Sequence, residues 1–371
     1  MSANSPEKIT VAVGPPGEWG SAFASIVAER GHNVRLLMRY PEDVLEFEAT
    51  RRTRRLEGVD FPENVKAYSD PKECFDGADL FAVAATSQSM RPFIESVRPN
   101  IGTRCVVMSL TKGLEQGTNL RMSEILLEND IPIENIAVLS GPNLAKEVVH
   151  TEVVAGTTVA AYEFATAEKI QGWLNSERFR VYTTDDVVGV EIGAVIKNIF
   201  ALGGGIADSL RVAGSSKATF ISRAFEEMVR VGVGLGGREE TFRGPSGLGD
   251  LLLGCYPTGE GTRNYRAGVK KVQGQTLEEI REAELVEGLN AIESLVKIID
   301  EKLIDAPLIK TIFKVFFKGL SIKEGINQLM ERQPTKDTLK DKGFLYGLAR
   351  FGFNLFHKLG LHHVTKRLLS K

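Results

Sequence analysis

The chain has 371 residues, 43% apolar and 25% charged, with 46 Lys and Arg against 48 Asp and Glu and a formal charge of -2. That length predicts two domains and an appendage, and that apolar content excludes global disorder. The near balance of charge excludes a protein that coats nucleic acid through bulk positive potential, and no nucleic-acid partner is expected.

The polar first eight residues lack the apolar stretch of a signal peptide, and no uninterrupted apolar run of about 18 residues marks a spanning helix. Residues 9–13 form a β-branched run predicted as a strand, followed by a glycine loop and a helix over 19–30. A second strand is expected at 33–38 and a charged helix at 41–56. Apolar runs at 80–84, 105–110, 136–139 and 153–160 repeat the theme, with helical stretches between most of them, and 178–182 reads as a weaker final strand. Buried runs alternating with helices predict a parallel sheet with crossovers. Beyond residue 187 strand signals vanish, and 191–210, 217–235, 277–286, 288–302, 307–317 and 321–331 carry helical spacing. An α/β domain over 1–189 and an all-helical domain over 190–334 follow from this change. Residues 335–371 read as a basic amphipathic extension beyond a polar linker. Cys74, Cys105 and Cys255 are too widely spaced for a disulfide framework or a cysteine zinc cluster, which points to a reducing, cytoplasmic setting.

Gly14-Pro15-Pro16-Gly17-Glu18-Trp19-Gly20 lies between the first strand and the first helix, where backbone amides approach a pyrophosphate in a Rossmann-type dinucleotide-binding domain. Gly17 and Gly20 fit the last two glycines of G-x-G-x-x-G, and Pro15 takes the first. The alternative is a turn that glycine and proline merely punctuate. The second strand ends without the acid that selects NAD; Arg39 stands there instead and permits NADP, or is a solvated surface arginine. Lys112 follows an apolar strand, at the crevice where open α/β sheets bind ligands, or is a loop lysine in water. Lys197 sits in a nearly all-apolar helix and must snorkel, pair or face a cavity. Asp250, between apolar neighbours in a glycine-rich turn, invites a lysine partner or caps the next helix. Thr262, Arg263 and Asn264 present a hydroxyl, a guanidinium and an amide, a set that suits phosphate; Thr262 is equally a helix N-cap. The five histidines have no metal-site spacing, so no metal is expected.

These segments together resemble the NAD(P)-dependent glycerol-3-phosphate dehydrogenases, from about residue 10 to 331. The motifs that carry the likeness are the Gly17–Gly20 loop with Trp19, Thr111-Lys112-Gly113, Ser140-Gly141-Pro142-Asn143-Leu144-Ala145-Lys146-Glu147 and Ile196-Lys197-Asn198. Gly247-Leu248-Gly249-Asp250-Leu251, Arg263-Asn264 and Val286-Glu287-Gly288 follow in the same order. The resemblance implies interconversion of dihydroxyacetone phosphate and sn-glycerol 3-phosphate with NAD or NADP, a supply of glycerol 3-phosphate for phospholipid synthesis, and a homodimer. It implies catalytic roles for Lys197, Lys112 and Asp250, with Gly141, Asn143, Thr262, Arg263 and Asn264 also binding substrate. Gly14, Gly17, Glu18, Trp19, Gly20, Arg39, Lys112, Ala145, Arg263 and Glu287 would line the cofactor site. Pro15, Glu18 and Asn143 depart from the family's usual glycine, small or polar residue, and serine. A related two-domain ketoacid or sugar-acid reductase and a non-catalytic nucleotide sensor are the alternatives. The basic extension either touches an anionic membrane weakly or packs its apolar face on protein.

Overall fold

The computed structural model describes residues 7–150, 154–256 and 259–332. Eight strands build its sheet: β1 (Thr10–Gly14), β2 (Asn33–Leu37), β3 (Val65–Tyr68), β4 (Leu80–Val83), β5 (Val106–Ser109), β6 (Ile136–Ser140), β7 (Ala155–Ala161) and β8 (Phe179–Thr184). Their order is β3-β2-β1-β4-β5-β6-β7-β8. The first six run parallel, with Val11 opposite both Val34 and Leu80. All four residues of β4 and of β5 are buried, because helices cover both faces of the sheet and leave no solvent side to alternate toward. Val11, Val13, Phe23, Val27 and Leu36 belong to the core on one face; Phe81, Ile94 and Ile125 belong to the core on the other.

Three expectations need correction. The sheet is not wholly parallel: β7 runs antiparallel to β6, with Ser140 opposite Thr158. The described part of the connection holds the short helix Ala145–His150, and β7 starts back from the C-terminal end of β6. The charged helix is shorter than 41–56. It spans Pro41–Thr50 and stops where Arg51 turns to φ 57°, its guanidinium then donating to the carbonyls of Phe61, Pro62 and Val65. Strand β3 has no counterpart in the expected elements; it is an edge strand, and its sequence Val-Lys-Ala-Tyr holds only a faint apolar alternation.

Every element after β8 is helical among the described residues. Helix Val187–Ser209 is the axis of this half and packs against helices Gly214–Gly234, Asp250–Cys255, Arg263–Val272 and Glu287–Glu301. By length and composition this helix could cross a membrane, but 94% of its most apolar stretch is buried inside the protein, so it is a core helix. The described residues up to 326 form one compact unit. The expected basic extension over 335–371 lies outside the described residues.

Candidate active site

The C-terminal ends of the strands collect the first set of groups. Lys112 follows β5, and Gly141 follows β6. The helical half supplies the second set. Asp250 opens helix Asp250–Cys255 after a wide turn over Pro245–Gly249, and Lys197 lies midway along Val187–Ser209. The Asp250 carboxylate meets both lysines: Lys112 Nζ donates to its Oδ2 at 2.6 Å and Lys197 Nζ to its Oδ1 at 2.8 Å. Lys112 also donates to the Gly141 carbonyl at 2.9 Å. Asp250 is 1% exposed and Lys197 7%, so pairing, not snorkelling, accounts for this lysine. Among the described residues Asp250 makes no helix-capping bond.

Burial opposes ionisation of Asp250, but the two ammonium groups outweigh it and hold the carboxyl below the usual carboxylate value. Burial pushes Lys112 down to about 8, with Asp250 resisting and the neighbouring Lys197 charge adding to the fall. One carboxylate between two lysines leaves surplus positive potential in a water-poor crevice, an arrangement suited to stabilising developing negative charge on an oxygen.

A second chain of contacts ties the helical half to the sheet. The Asn264 amide donates to Asn198 Oδ1 at 2.9 Å, and its carbonyl accepts from the Gly288 amide at 2.8 Å. Next to Gly288, the Glu287 carboxylate accepts from both the amide and the hydroxyl of Ser87, beyond β4. Burial raises the Glu287 carboxyl above its ordinary value, against the two Ser87 hydrogen bonds. Gly113, beside Lys112, lies against this pair: a Cβ there would come within 2.8 Å of Ser87 Oγ and 3.2 Å of Glu287 Oε2. Ser87 is a functional-site neighbour that sequence reasoning missed, and Asn198 is picked out there only within the motif Ile196-Lys197-Asn198, with no role of its own. Asn198 stands next to Lys197, but helical neighbours face about 100° apart. Ser87 follows a buried strand, which is the signal that singled out Lys112.

The glycine loop fits a dinucleotide. Gly17 precedes helix Glu18–Glu29, whose N-terminus carries no side-chain cap among the described residues, leaving its amides for a ligand. A Cβ on Gly17 would meet nothing within 4 Å, whereas one on Gly20 would fall 2.8 Å from Ala84 Cβ and 3.1 Å from the Pro15 carbonyl oxygen. Gly17 therefore faces open space and Gly20 allows close helix–strand approach. Gly14 ends β1 against Leu37 and Phe93, and the Gly14–Pro15 peptide is cis. Glu18 is half-buried at the helix start, and Trp19 and Ala145 pack partly buried against the core beneath the loop. Arg39 is exposed, its guanidinium 5.2 Å from the Tyr40 ring centre.

The phosphate candidates separate in character. Thr262 is the N-cap of helix Arg263–Val272, its hydroxyl accepting from the Tyr265 amide at 3.2 Å, while Arg263 is exposed and Asn264 buried. Across the crevice, Asn143 donates to Thr157 Oγ1 at 3.3 Å, and its buried carbonyl oxygen finds no partner among the described residues. Helix Arg263–Val272 crosses the Lys197 helix backbone to backbone. A Cβ on Gly205 would lie 2.0 Å from the Tyr265 carbonyl oxygen, and one on Gly268 2.0 Å from that of Leu202. Gly205 and Gly268 thus make room for the crossing, while Gly203 lies against Phe220 and Gly204 against Cys255.

Comparison with known proteins adds an independent line. Residues 9–167 match the family model of the NAD-dependent glycerol-3-phosphate dehydrogenase N-terminus, and 186–327 that of its C-terminus. The chain is 39% identical over 329 residues to glycerol-3-phosphate dehydrogenase [NAD(P)+] of Corynebacterium kroppenstedtii, covering 87% of this chain and 98% of that one. The corresponding Oceanobacillus iheyensis protein is 35% identical over 325 residues, with 87% and 94% covered. The crystal structure of glycerol-3-phosphate dehydrogenase from Coxiella burnetii superposes with a TM-score of 0.80 at 31% identity, covering 88% of this chain and 99% of that one. A ketopantoate reductase from Ralstonia eutropha shares the fold, at a TM-score of 0.54 and 18% identity.

Proposed function

The chain belongs to the NAD-dependent glycerol-3-phosphate dehydrogenase family, and we propose that Lys197, gripped by Asp250 beside Lys112, is its proton-transfer group at C2 of the substrate. The enzyme is an NAD(P)-dependent oxidoreductase of CH–OH groups that interconverts dihydroxyacetone phosphate and sn-glycerol 3-phosphate. When bound, the nicotinamide exchanges hydride with C2. In reduction, negative charge grows on the carbonyl oxygen; Lys197 gives it a proton, and Lys112 adds positive potential. Asp250 holds both ammonium groups on one side of the reacting oxygen. In the reverse direction Lys197 accepts the hydroxyl proton. Thr262, Arg263 and Asn264 would take the phosphate, which tethers the small triose and selects the face presented to the cofactor. Gly141 and Asn143 would close the opposite wall. Gly14, Gly17, Glu18, Trp19, Gly20 and Ala145 would cradle the dinucleotide, with Arg39 at its adenosine end and Glu287 and Arg263 near the nicotinamide end.

The single observation that carries this reading is the shared Asp250 carboxylate between Lys112 and Lys197, drawn from two halves of the chain. Oxidation of NADH or NADPH on adding dihydroxyacetone phosphate tests it. Absence of turnover with either cofactor, on folded protein, overturns it and favours a nucleotide sensor. The division at 189 and 334, a homodimer, a cytoplasmic location and a role in supplying phospholipid synthesis belong to the same proposal. Its support for a reducing compartment is that Cys74, Cys105 and Cys255 are all free and buried.

A further inference from the structure

Lys217 is a buried lysine that the reaction above does not use. It lies in the first turn of helix Gly214–Gly234, is 7% exposed, and donates to Asp208 Oδ2 at 2.6 Å. Asp208 is the penultimate residue of the helix that carries Lys197. The same carboxylate oxygen accepts the Tyr265 hydroxyl at 2.6 Å, and the Lys217 ammonium sits 4.1 Å from the centre of the Tyr256 ring. Tyr256 and Tyr265 bracket the phosphate candidates, one before them and one in the first turn of helix Arg263–Val272. Tyr265 is also the residue whose amide Thr262 caps. One ion pair therefore holds both sides of the segment that carries Thr262, Arg263 and Asn264, and fastens it to the end of the Lys197 helix.

The attachment has a geometric consequence. The substrate spans two fixed points: a phosphate at one end and the C2 oxygen, facing Lys197, at the other. The distance between those points is set by how helix Arg263–Val272 sits on helix Val187–Ser209. The glycine crossing brings the two backbones together but leaves sliding and rotation open; directional bonds to Asp208 close those freedoms. We propose that the Asp208–Lys217 ion pair is a positioning clasp that acts through Tyr256 and Tyr265 to set the span between the phosphate grip and Lys197. This rests on the reading of Thr262, Arg263 and Asn264 as phosphate ligands. The clasp does not touch the reacting atoms.

The test compares Lys217→Met, Lys217→Arg, Tyr265→Phe and Arg263→Ala with the wild-type enzyme, on dihydroxyacetone phosphate and on unphosphorylated dihydroxyacetone. Lys217→Met and Tyr265→Phe are each expected to lower kcat/KM for dihydroxyacetone phosphate by roughly tenfold, mainly through KM, while the slow rate on dihydroxyacetone stays unchanged. Lys217→Arg keeps the charge and should recover most of the loss. The double variant Lys217→Met/Tyr265→Phe should lose little more than either single one. Equal losses on both substrates would mean a scaffold role and overturn the clasp. Wild-type kinetics in both Lys217→Met and Tyr265→Phe, beside a raised KM in Arg263→Ala, would overturn it while leaving the phosphate reading intact. An unchanged KM in Arg263→Ala would overturn the phosphate reading itself. Tyr265→Phe removes only a hydroxyl, so the test survives if Lys217→Met fails to fold.

Discussion

Lys197 lies within an apolar helix because one buried carboxylate compensates it, and its neighbour Lys112 reaches the same carboxylate from the sheet. Truncating Lys197 removes the proton-transfer group without touching the glycine loop. Lys197→Ala is therefore expected to cut kcat by about 10²–10⁴-fold, while cofactor binding, followed by nicotinamide fluorescence, stays close to wild type; near-normal rates would refute the assignment. Lys112 leads to a pH prediction. Burial holds it near 8, so its positive charge is lost as the pH rises through about 8, well before an ordinary lysine titrates. In the direction of dihydroxyacetone phosphate reduction, kcat/KM should fall along that alkaline limb. Asp250 raises the Lys112 value, so Asp250→Asn should move the limb to lower pH as well as lower the rate. An alkaline limb that stays in place in Asp250→Asn would show that the limb reports another group.

The glycine loop and the helix crossing show how elements, not single side chains, present the site. Gly17→Ala places a methyl in open space beside an uncapped helix N-terminus. It should weaken NADH or NADPH binding, measured by titration, and leave the melting temperature unchanged. Gly20→Ala meets Ala84 and the Pro15 carbonyl and should lower the melting temperature by several degrees, consistent with about 1–3 kcal/mol of overpacking. Equal effects of the two changes on melting would contradict this division of labour. The sequence was most legible where burial imposes a pattern. The long apolar runs of β1, β4, β5 and β6 declare themselves as central strands, and the loss of such runs after residue 187 marks the helical half. It was least legible where tertiary contacts decide. Strand β3 is an edge whose pattern is nearly silent, Arg51 ends its helix by reaching carbonyls 10 or more residues away, and β7 pairs antiparallel with β6. The site divides the same way. Lys112, Lys197 and Asp250 each look anomalous in their local context and could be singled out one by one. Their convergence, and the part played by Ser87, depends on contacts between residues 53 to 200 apart in sequence.

For the whole molecule, near-neutral charge is an average over unlike parts. Residues 336–371 hold eight Lys or Arg and two Asp, a net of +6, so the overall -2 leaves -8 on residues 1–335. The family models end at residue 327, before this basic stretch begins. Charge alone would draw such a stretch toward anionic lipid, at about 1 kcal/mol per basic residue near the surface. Opposing this, an amphipathic helix must first form, and four glycines between 343 and 360 each cost about 1 kcal/mol relative to alanine. The acidic remainder of the chain also repels the same lipid surface. Full-length enzyme and a form ending at residue 334 should therefore partition equally onto anionic phosphatidylserine vesicles in a sedimentation assay at physiological salt. Both should turn over dihydroxyacetone phosphate at similar rates, because the predicted catalytic groups all lie before the cut. A full-length-only pellet that high salt disperses would instead assign the tail to lipid through its charge.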